Sequence, residues 1–540
     1  MNFPATHEVF NQVPDLEPYG AADDPALLEG LRREGASWAE DEVRELGALA
    51  GTARAQDWGR LANEYPPVLH THDRYGHRID EVEFHPHWHD LMTVAVENGL
   101  HAAPWRDPRP GAHVARAAKF YVWGHTDAGH MCPISMTYAA VPALRHNAEL
   151  AERYEPLLAA PHYDFGLREP STKRGLIAGM SMTEKQGGSD VRTNTTTATP
   201  NADGSYTIVG HKWFTSAPMS DLFLTLAQTE HGPSCFLLPR VLPDGTRNAI
   251  RIQRLKDKLG NKSNASSEIE YENAIGWLVG PEGRGINTII EMVNMTRLDC
   301  VIGSAVNMRV ATLRAVHHAR HRKAFGAVLV DQPLMRNVLS DLVVESDAAT
   351  TMMMRLAGAT DRAAGDEQEA ALRRIALAVT KYWVCKRAPA VAAEALECLG
   401  GNGYAEESGM PRLYRESPLM SIWEGSGNVA ALDALRAMAR QPDTVEAFFT
   451  EVGLAEGADP RLDSAIARVG KELADLEDAE YRARRVVELM ALVLQGAQLV
   501  RHGHPAVAEA FCRSRLDDDW GIAMGTLPTG VDTAAILDRV

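Results

Sequence analysis

The chain has 540 residues, of which 45% are apolar and 24% are charged, and its formal net charge at pH 7 is -17. This composition is typical of a globular protein with about three or four domains, and its acidic balance argues against a surface built throughout for nucleic acid. The six cysteines are scattered without a C-x-x-C pair, which predicts reduced thiols rather than a zinc site or a disulfide framework.

No targeting or membrane signal is visible in the sequence. The first residues lack a basic region followed by an apolar run, so no signal peptide is expected. No stretch is long and apolar enough to cross a bilayer. These patterns predict a cytoplasmic protein with no membrane partner.

Residues 1–175 read mainly as helices with irregular connections, and the pattern changes at about residue 176. From there to residue 285, runs rich in β-branched and aromatic residues alternate with turn dipeptides such as Asp203-Gly204 and Asp244-Gly245. The runs fall at 206–214, 221–229, 234–239 and 266–273. This block is predicted to be an antiparallel β domain.

Helical spacing returns after residue 285, where Val306, Val310 and Leu313 share one helix face. Long helices are expected over 286–440, with a break at residues 400–403. A further helical unit is expected over 441–540, because Ile466, Val469, Leu473 and Leu476 again share a face and 482–500 is rich in apolar residues.

The predicted fold class is therefore α+β and mainly α. It comprises an N-terminal helical domain (1–175), a central antiparallel β domain (176–285), a C-terminal helical bundle (286–440) and an extra helical extension (441–540).

Five short motifs carry chemistry, and each alone is compatible with an ordinary polar loop or strand end. Two lie in the β block, Met182–Asp190 and Lys212–Ser216, where hydroxyls, glycine amides and aromatics are suited to a planar ring or a pyrophosphate. Two lie in the helical block: Arg322–Gly326 with Gln332 offers groups for a phosphate or a base, and Leu399–Tyr404 is glycine-rich. The fifth, Ser421–Asn428, places Glu424 in a glycine-rich turn, where a carboxylate can act as a base.

In this order and on this architecture, the five motifs resemble those of the acyl-CoA dehydrogenase superfamily. Further stretches, at 32–38, 59–63 and 255–266, are similar to its alkylation-response (AidB-like) branch, as is the helical extension past residue 440. The resemblance implies an FAD-dependent oxidoreductase acting on CH–CH bonds, with FAD held between the β domain and the second helical domain.

The resemblance also assigns roles to individual residues. The β-domain residues implied to line the flavin are Met182, Thr183, Gly188, Ser189, Trp213, Phe214, Thr215 and Ser216. The turn implied to wrap it contributes Ile422, Trp423, Gly425, Ser426, Gly427 and Asn428. In this superfamily a neighbouring subunit supplies the remaining FAD contacts, which match Arg322, Phe325, Gln332, Gly400 and Gly401 here. That arrangement implies a dimer at least, and the family is typically homotetrameric.

The implied reaction is α,β-dehydrogenation of an acyl-CoA or a related small substrate, with hydride transfer to flavin N5. Glu424 occupies the usual position of the base. The alternative base position of some members holds Thr296 here, and Arg297 matches a residue that shapes the substrate site. The acidic residue that often precedes this pair is Asn294, which departs from the pattern for CoA recognition.

Two other functions stay open at this point. The branch includes a DNA-associated role in protection against alkylating agents, but residues 445–540 carry 10 basic and 17 acidic side chains, including the run Asp517-Asp518-Asp519. A local basic patch is conceivable on Arg436, Arg440, Arg482, Arg484, Arg485, Arg501, Arg513 and Arg515. A flavin monooxygenase or oxidase on the same fold is the other alternative. No metal is expected, because the histidines at 85, 87 and 89 are interrupted by Pro86 and lack a completing carboxylate or cysteine set.

Overall fold

A computed structural model describes residues 6–475, 477–517 and 521–540. Leu476 of the predicted helix face, and Asp518 and Asp519 of the acidic run, lie outside the described residues. The chain forms two compact units. The helical unit comprises the described residues before Ala53 and from Cys300 onward, and the mixed unit runs from Ala53 to Asp299.

The chain enters the helical unit through α1 (Pro25–Arg33) and α2 (Glu40–Ala50). Helix α1 begins where it does because the Asp24 carboxylate accepts hydrogen bonds from the amides of Ala26 and Leu27, and Pro25 occupies the first helical position. The mixed unit then opens with α3 (Ala53–Glu64), β1 (Val68–His72), β2 (Arg78–Glu83), α4 (Pro86–Glu97), α5 (Ala103–Arg106), α6 (Ala112–Gly124), α7 (Met131–Leu144) and α8 (Ala148–Leu158).

A seven-stranded sheet follows in the mixed unit, as the turn dipeptides predict. Its strands are β3 (Ala178–Ser181), β4 (Thr197–Pro200), β5 (Tyr206–Ser216), β6 (Leu222–Thr229), β7 (Gly232–Pro239), β8 (Ile250–Leu255) and β9 (Ser266–Val279). The strand order is β3-β6-β4-β5-β9-β7, with β8 paired to β9, and a β6–β7 pairing closes five of the strands into a ring. Antiparallel pairs predominate, while β6 pairs in parallel with β3 and β4.

Helix α9 (Gly285–His321) spans the boundary between the two units. The helical unit continues with a small hairpin, β10 (Lys323–Ala324) and β11 (Ala327–Val328), and then with the long helices α10 (Pro333–Arg362) and α11 (Glu367–Cys398). The remaining helices are α12 (Met410–Glu416), α13 (Gly427–Arg440), α14 (Asp443–Gly453), α15 (Pro460–Ala474), α16 (Ala479–His502), α17 (Pro505–Phe511) and α18 (Thr533–Leu537). Single turns of 3-10 helix include Leu329–Asp331, Gly400–Tyr404 and Leu419–Ser421, and a π-helical turn covers Cys512–Leu516.

Buried ion pairs tie the C-terminal helices into the helical unit, where α16 packs against α10, α11, α13 and α14. The fully buried Arg515 guanidinium pairs with Asp341 and, at 2.9 Å, with Glu345. Arg387 also pairs with Glu345, at 3.1 Å. Burial opposes ionisation of Glu345, but the two arginines hold its pKa below the usual range. The extension is therefore joined to α10 through charge pairs that water does not reach.

The histidine-rich segment contains a hairpin that the sequence did not predict, β1–β2, and this hairpin includes His70 and His72. His85 caps α4 by accepting the amide hydrogen of His87. His87 pairs with Asp90 at 2.8 Å, and His89 contacts the Tyr163 hydroxyl at 2.9 Å. Within the described part of the chain, no three His, Cys, Asp or Glu residues are grouped as a metal site. None of its helices has the length and apolarity needed to cross a bilayer.

Replacing Arg515 tests the importance of the buried charges. In Arg515→Met, Asp341 and Glu345 keep their burial but lose this guanidinium, so we expect the protein to lose about 3–5 kcal/mol of stability. Differential scanning calorimetry should show a clearly lower unfolding temperature. The control is Arg485→Met on α16, whose side chain is 79% exposed and 3.4 Å from Glu472, where we expect a loss of at most about 1 kcal/mol. Equal effects of the two substitutions would contradict the account.

Candidate functional site

The turn that carries Glu424 is tightly folded at the entrance to α13. The amides of Ile422 and Trp423 both donate to the Leu419 carbonyl, at 2.9 and 3.0 Å. Glu424 then adopts a left-handed backbone conformation with φ of 57°, and Gly425 follows with φ of 107°. Extended backbone at Ser426 leads into α13 at Gly427. The Glu424 side chain is half-buried, and the turn places this residue beside the N-terminus of α13.

Lys381 supports this turn through a hydrogen bond, and no motif in the sequence pointed to this residue. Its side chain is buried in α11, and the ammonium group donates a hydrogen bond to the Gly425 carbonyl. A buried charge is costly unless it is paired or hydrogen-bonded, so the lysine and the turn constrain each other. The sequence does contain a sign of this role, because Lys381 is the one charged residue in the largely apolar stretch 375–384.

Two further cations lie at the start of α13. A Cβ placed on Gly427 would lie 3.0 Å from the Lys386 ammonium nitrogen and 3.3 Å from an Arg484 guanidinium nitrogen, so both cations lie against the first residue of α13. Arg484, from α16, also donates to the Asn428 side-chain oxygen at 2.8 Å. Burial, together with Arg484 and Lys381, lowers the pKa of Lys386. The Lys386 ammonium and the Arg484 guanidinium therefore meet at the N-terminal end of α13, which favours an anion.

The helical unit also contains a cavity of about 320 Å³ that brings three predicted residues together. Its lining includes Arg322, Gly400 and Gly401, with His318, Ala324, Leu329, Glu397, Cys398, Leu399 and Asn402. Gly400 has φ of 60°, and a Cβ on either glycine would meet no described atom within 4 Å. The cavity therefore combines an arginine with glycine backbone that a ligand can approach closely, which suits a phosphate group.

Phe325 lies in the small hairpin beside this cavity, and Gln332 follows the hairpin at the start of α10. Gln332 donates a side-chain hydrogen bond to the Ala324 carbonyl at 3.1 Å. Phe325 and Gly326 form the two-residue loop, with φ values of 51° and 84°. Two successive positive φ angles are typical of a type I′ turn, which usually takes Asn-Gly. Here a fully exposed phenylalanine stands at the tip.

Several residues other than glycine adopt a left-handed backbone conformation in or next to the predicted motifs. Among the described residues, the non-glycine positions with positive φ are mostly Asn and Asp, which tolerate it; the others are Ala217, Phe325 and Glu424. Ala217 directly follows the Lys212–Ser216 motif, and the other two lie inside motifs. Such a conformation costs a side chain of this kind about 1–2 kcal/mol, and strain of this sort clusters at functional sites.

In the mixed unit, the Met182–Asp190 loop is anchored by its buried Glu184. The Glu184 carboxylate pairs with the Lys212 ammonium at 2.9 Å and accepts the amide hydrogens of Thr195 and Thr196. Burial opposes ionisation, but these partners lower the pKa of Glu184 to about 2. The anchored loop leaves Gly188 and Ser189 exposed and Met182 and Thr183 half-buried. A Cβ on Gly188 would lie 2.4 Å from the Thr183 hydroxyl oxygen, so the loop requires glycine there.

The end of β5 lies beside this loop, because the Trp213 amide donates to the Thr183 carbonyl at 2.8 Å. The Trp213 ring carries the Lys256 ammonium 3.4 Å from its centroid, and Phe214 is 52% exposed. The buried Thr215 hydroxyl is 2.8 Å from that of Ser181, and the Ser216 hydroxyl is 3.4 Å from that of Ser266. The structure therefore brings the two predicted β-domain motifs together.

Arg297 and Thr296 lie on α9 and are both buried. The Thr296 hydroxyl donates back to the helix, with the Met292 and Val293 carbonyls at 3.3 and 3.1 Å. A hydroxyl bonded into its own helix is not a general base. Asn294 is half-buried on the same helix.

The arginines of the hypothetical basic patch are dispersed. Arg515 is buried among carboxylates, as described above, and Arg501 lies 3.5 Å from Glu451. Arg482 pairs with Glu472 at 2.6 Å, and Arg513 lies 3.8 Å from Glu509. The exposed members are Arg436, Arg440, Arg484 and Arg485.

Each unit, taken by itself, offers side chains and backbone groups that suit one part of the FAD molecule. The helical unit supplies cations and open glycine backbone suited to a diphosphate, at α13 and at the cavity. The mixed unit supplies an aromatic side chain, hydroxyls and loop amides suited to a flavin ring.

Three family profiles match the chain in order. Residues 11–165 match the adaptive response protein AidB N-terminal domain, residues 179–274 the acyl-CoA dehydrogenase middle domain, and residues 283–439 the acyl-CoA dehydrogenase C-terminal domain.

Full-length relatives agree with these profiles. The chain is 47% identical to AidB of Escherichia coli (strain K12), over 96% of each sequence. It is 29% identical to acyl-CoA dehydrogenase family member 11 of Caenorhabditis elegans, over 89% of this chain and 83% of that one. The crystal structure of Caenorhabditis elegans ACDH-11 in complex with C11-CoA superimposes with a TM-score of 0.87 at 27% identity, covering 96% of this chain and 95% of that chain. The chain belongs to the AidB-like branch of the acyl-CoA dehydrogenase family, whose members are FAD-dependent oxidoreductases acting on CH–CH bonds.

Proposed function

We propose that the protein is an FAD-dependent dehydrogenase that introduces a double bond between the α and β carbons of an acyl-CoA. The observation that carries the proposal is the left-handed backbone of Glu424 in the turn that leads into α13. The similarity to ACDH-11, which was crystallised with C11-CoA, supports an acyl-CoA as the substrate class.

The chemistry needs one base and one hydride acceptor. The Glu424 carboxylate takes the α proton of the thioester, and the C–H bond electrons become the new carbon–carbon double bond. When bound, FAD supplies the acceptor for the hydride that leaves the β carbon. Lys381 keeps the Gly425 carbonyl, and so the adjacent Glu424, in place while the proton is transferred. Arg297 is proposed to shape the substrate site.

The residues proposed to hold FAD are those whose hydroxyls, aromatic rings or backbone amides suit the cofactor. Thr183, Ser189, Thr215 and Ser216 supply hydroxyls, and Trp213, with Met182 and Phe214, supplies apolar and aromatic surface. Within the turn from Ile422 to Asn428, the part from Glu424 onward supplies backbone amides beside Lys386 and Arg484, because the amides of Ile422 and Trp423 donate to the Leu419 carbonyl.

We further propose that the protein assembles as a dimer at least, with a homotetramer as the expected form. The fully exposed Phe325 at a strained hairpin tip supports this. Within one subunit its ring buries no apolar surface that would offset the cost of the left-handed backbone, whereas a neighbouring subunit could cover it. In an assembly, Arg322, Phe325, Gln332, Gly400 and Gly401 would complete the FAD site of a neighbouring subunit.

Glu424→Gln tests the base. The substitution keeps the size of the side chain and removes its ability to take a proton, so we expect the FAD content to be unchanged. Flavin reduction by a substrate acyl-CoA should slow by about 10²–10⁴-fold in anaerobic stopped-flow absorbance measurements. The control is Glu446→Gln, at an exposed position on α14, in which the flavin should be reduced at the rate of the unmodified protein. An unchanged rate of flavin reduction in Glu424→Gln would contradict the assignment of Glu424 as the base.

Phe325→Asn tests the hairpin tip. Asparagine suits the type I′ turn, so the unfolding temperature of the apoprotein should hold or rise. Loss of an aromatic contact worth about 0.5–1.5 kcal/mol should weaken FAD binding about two- to twelvefold, as measured by flavin fluorescence. The control is Leu454→Asn, an exposed apolar position at the end of α14. If Phe325→Asn binds FAD as tightly as the control, Phe325 does not contribute to the cofactor site.

A further inference from the structure

The segment around Asn11 lies against the hairpin that follows α9, far from it in sequence and within the same helical unit. The Asn11 side-chain amide donates to the Lys323 carbonyl at 3.0 Å, and its oxygen accepts the Lys323 amide hydrogen at 2.9 Å. One side chain therefore satisfies both backbone groups of a hairpin residue, as a neighbouring β-strand would.

Asn11 also reaches the arginine that lines the cavity. Its backbone carbonyl accepts a hydrogen bond from the Arg322 guanidinium. A guanidinium carries five N–H donors in a planar fork, so fixing one donor restricts the directions in which the others can point. Asn11 has φ of 53°, a conformation that asparagine tolerates better than most residues and that allows the carbonyl and the side chain to be used together.

Neighbouring contacts hold the same segment along α9. The His317 ring contacts the Pro14 carbonyl at 2.8 Å, and Arg314 pairs with Glu17 at 3.0 Å. Hydrogen bonds inside the hairpin region complete the support, with Leu329 donating to the Arg322 carbonyl at 2.9 Å. Residues 11–17 thus act as a clasp, fastened along one side of α9 and closed at its end by Asn11.

We propose that Asn11 is a positioning residue for phosphate recognition by Arg322, and that the clasp of residues 11–17 preorganises the cavity wall formed by Arg322, Gly400 and Gly401. The ligand class is the diphosphate of an adenine dinucleotide, so the inference rests on the proposed FAD function. Without the clasp, Arg322 keeps its charge but loses its fixed direction, and part of the binding energy is then used to order it.

The test is a double-mutant cycle on FAD binding to the apoprotein. Asn11→Gly keeps the backbone carbonyl and tolerates the positive φ while removing both side-chain hydrogen bonds. Arg322→Met removes the guanidinium. We expect each single variant to raise the Kd for FAD about tenfold, and we expect Asn11→Gly to add less than about twofold in the Arg322→Met background, because its effect acts through Arg322.

Two controls separate a positioning role from a structural one. Gln12→Ala changes an exposed residue of the same segment that makes none of the clasp's contacts, since its side chain bonds the Phe10 carbonyl among the described residues, and this variant should bind FAD as the unmodified protein does. Circular dichroism melting of the apoprotein should give Asn11→Gly an unfolding temperature close to that of Gln12→Ala. ADP should compete with FAD in the unmodified protein, and its affinity should fall in Asn11→Gly by the same factor as that of FAD.

The outcomes are distinct. Additive effects of Asn11→Gly and Arg322→Met, an unchanged Kd in Asn11→Gly, or a loss of apoprotein stability that matches the loss of affinity would each overturn the positioning role. If the unmodified protein itself binds no FAD, it is the proposed function that fails, before any variant is compared.

Discussion

The hydrogen bond from the buried Lys381 ammonium to the Gly425 carbonyl is the interaction on which the proposed site depends. It fixes a turn in which Glu424 is held in a conformation that a glutamate disfavours. The strain is sustained because both ends are anchored, by the Leu419 carbonyl before the turn and by α13 after it. A residue whose backbone is held in this way loses little backbone entropy when its side chain meets a substrate, which favours proton abstraction from carbon.

The surroundings of that turn explain why the C-terminal extension is part of the same helical unit. Helix α16 places Arg484 against α13, and Arg515 pairs with carboxylates of α10 inside the unit. The extension therefore has a structural function that does not depend on any external partner. The extension carries more acidic than basic side chains. Arg482, Arg501 and Arg515 pair with carboxylates, so few of its arginines are exposed.

Local patterns predicted much of the fold, and motif order predicted the family. The strands at 206–216, 222–229, 232–239 and 266–279 fall where β-branched runs lie between turn dipeptides, and the break at 400–404 follows from its glycines. The β1–β2 hairpin was missed because its histidines and charged residues give no clear alternation. The residues that support the site were also missed. Lys381 and Asn11 act on turns that lie far from them in sequence, and no local pattern encodes such a contact.

An anaerobic titration of the FAD-loaded protein with acyl-CoAs of graded chain length and branching tests the central claim most directly. We predict that the visible flavin absorbance bleaches with at least one class of acyl-CoA, at a stoichiometry of about one per flavin. A flavin that dithionite reduces and that no acyl-CoA in the series bleaches would contradict it.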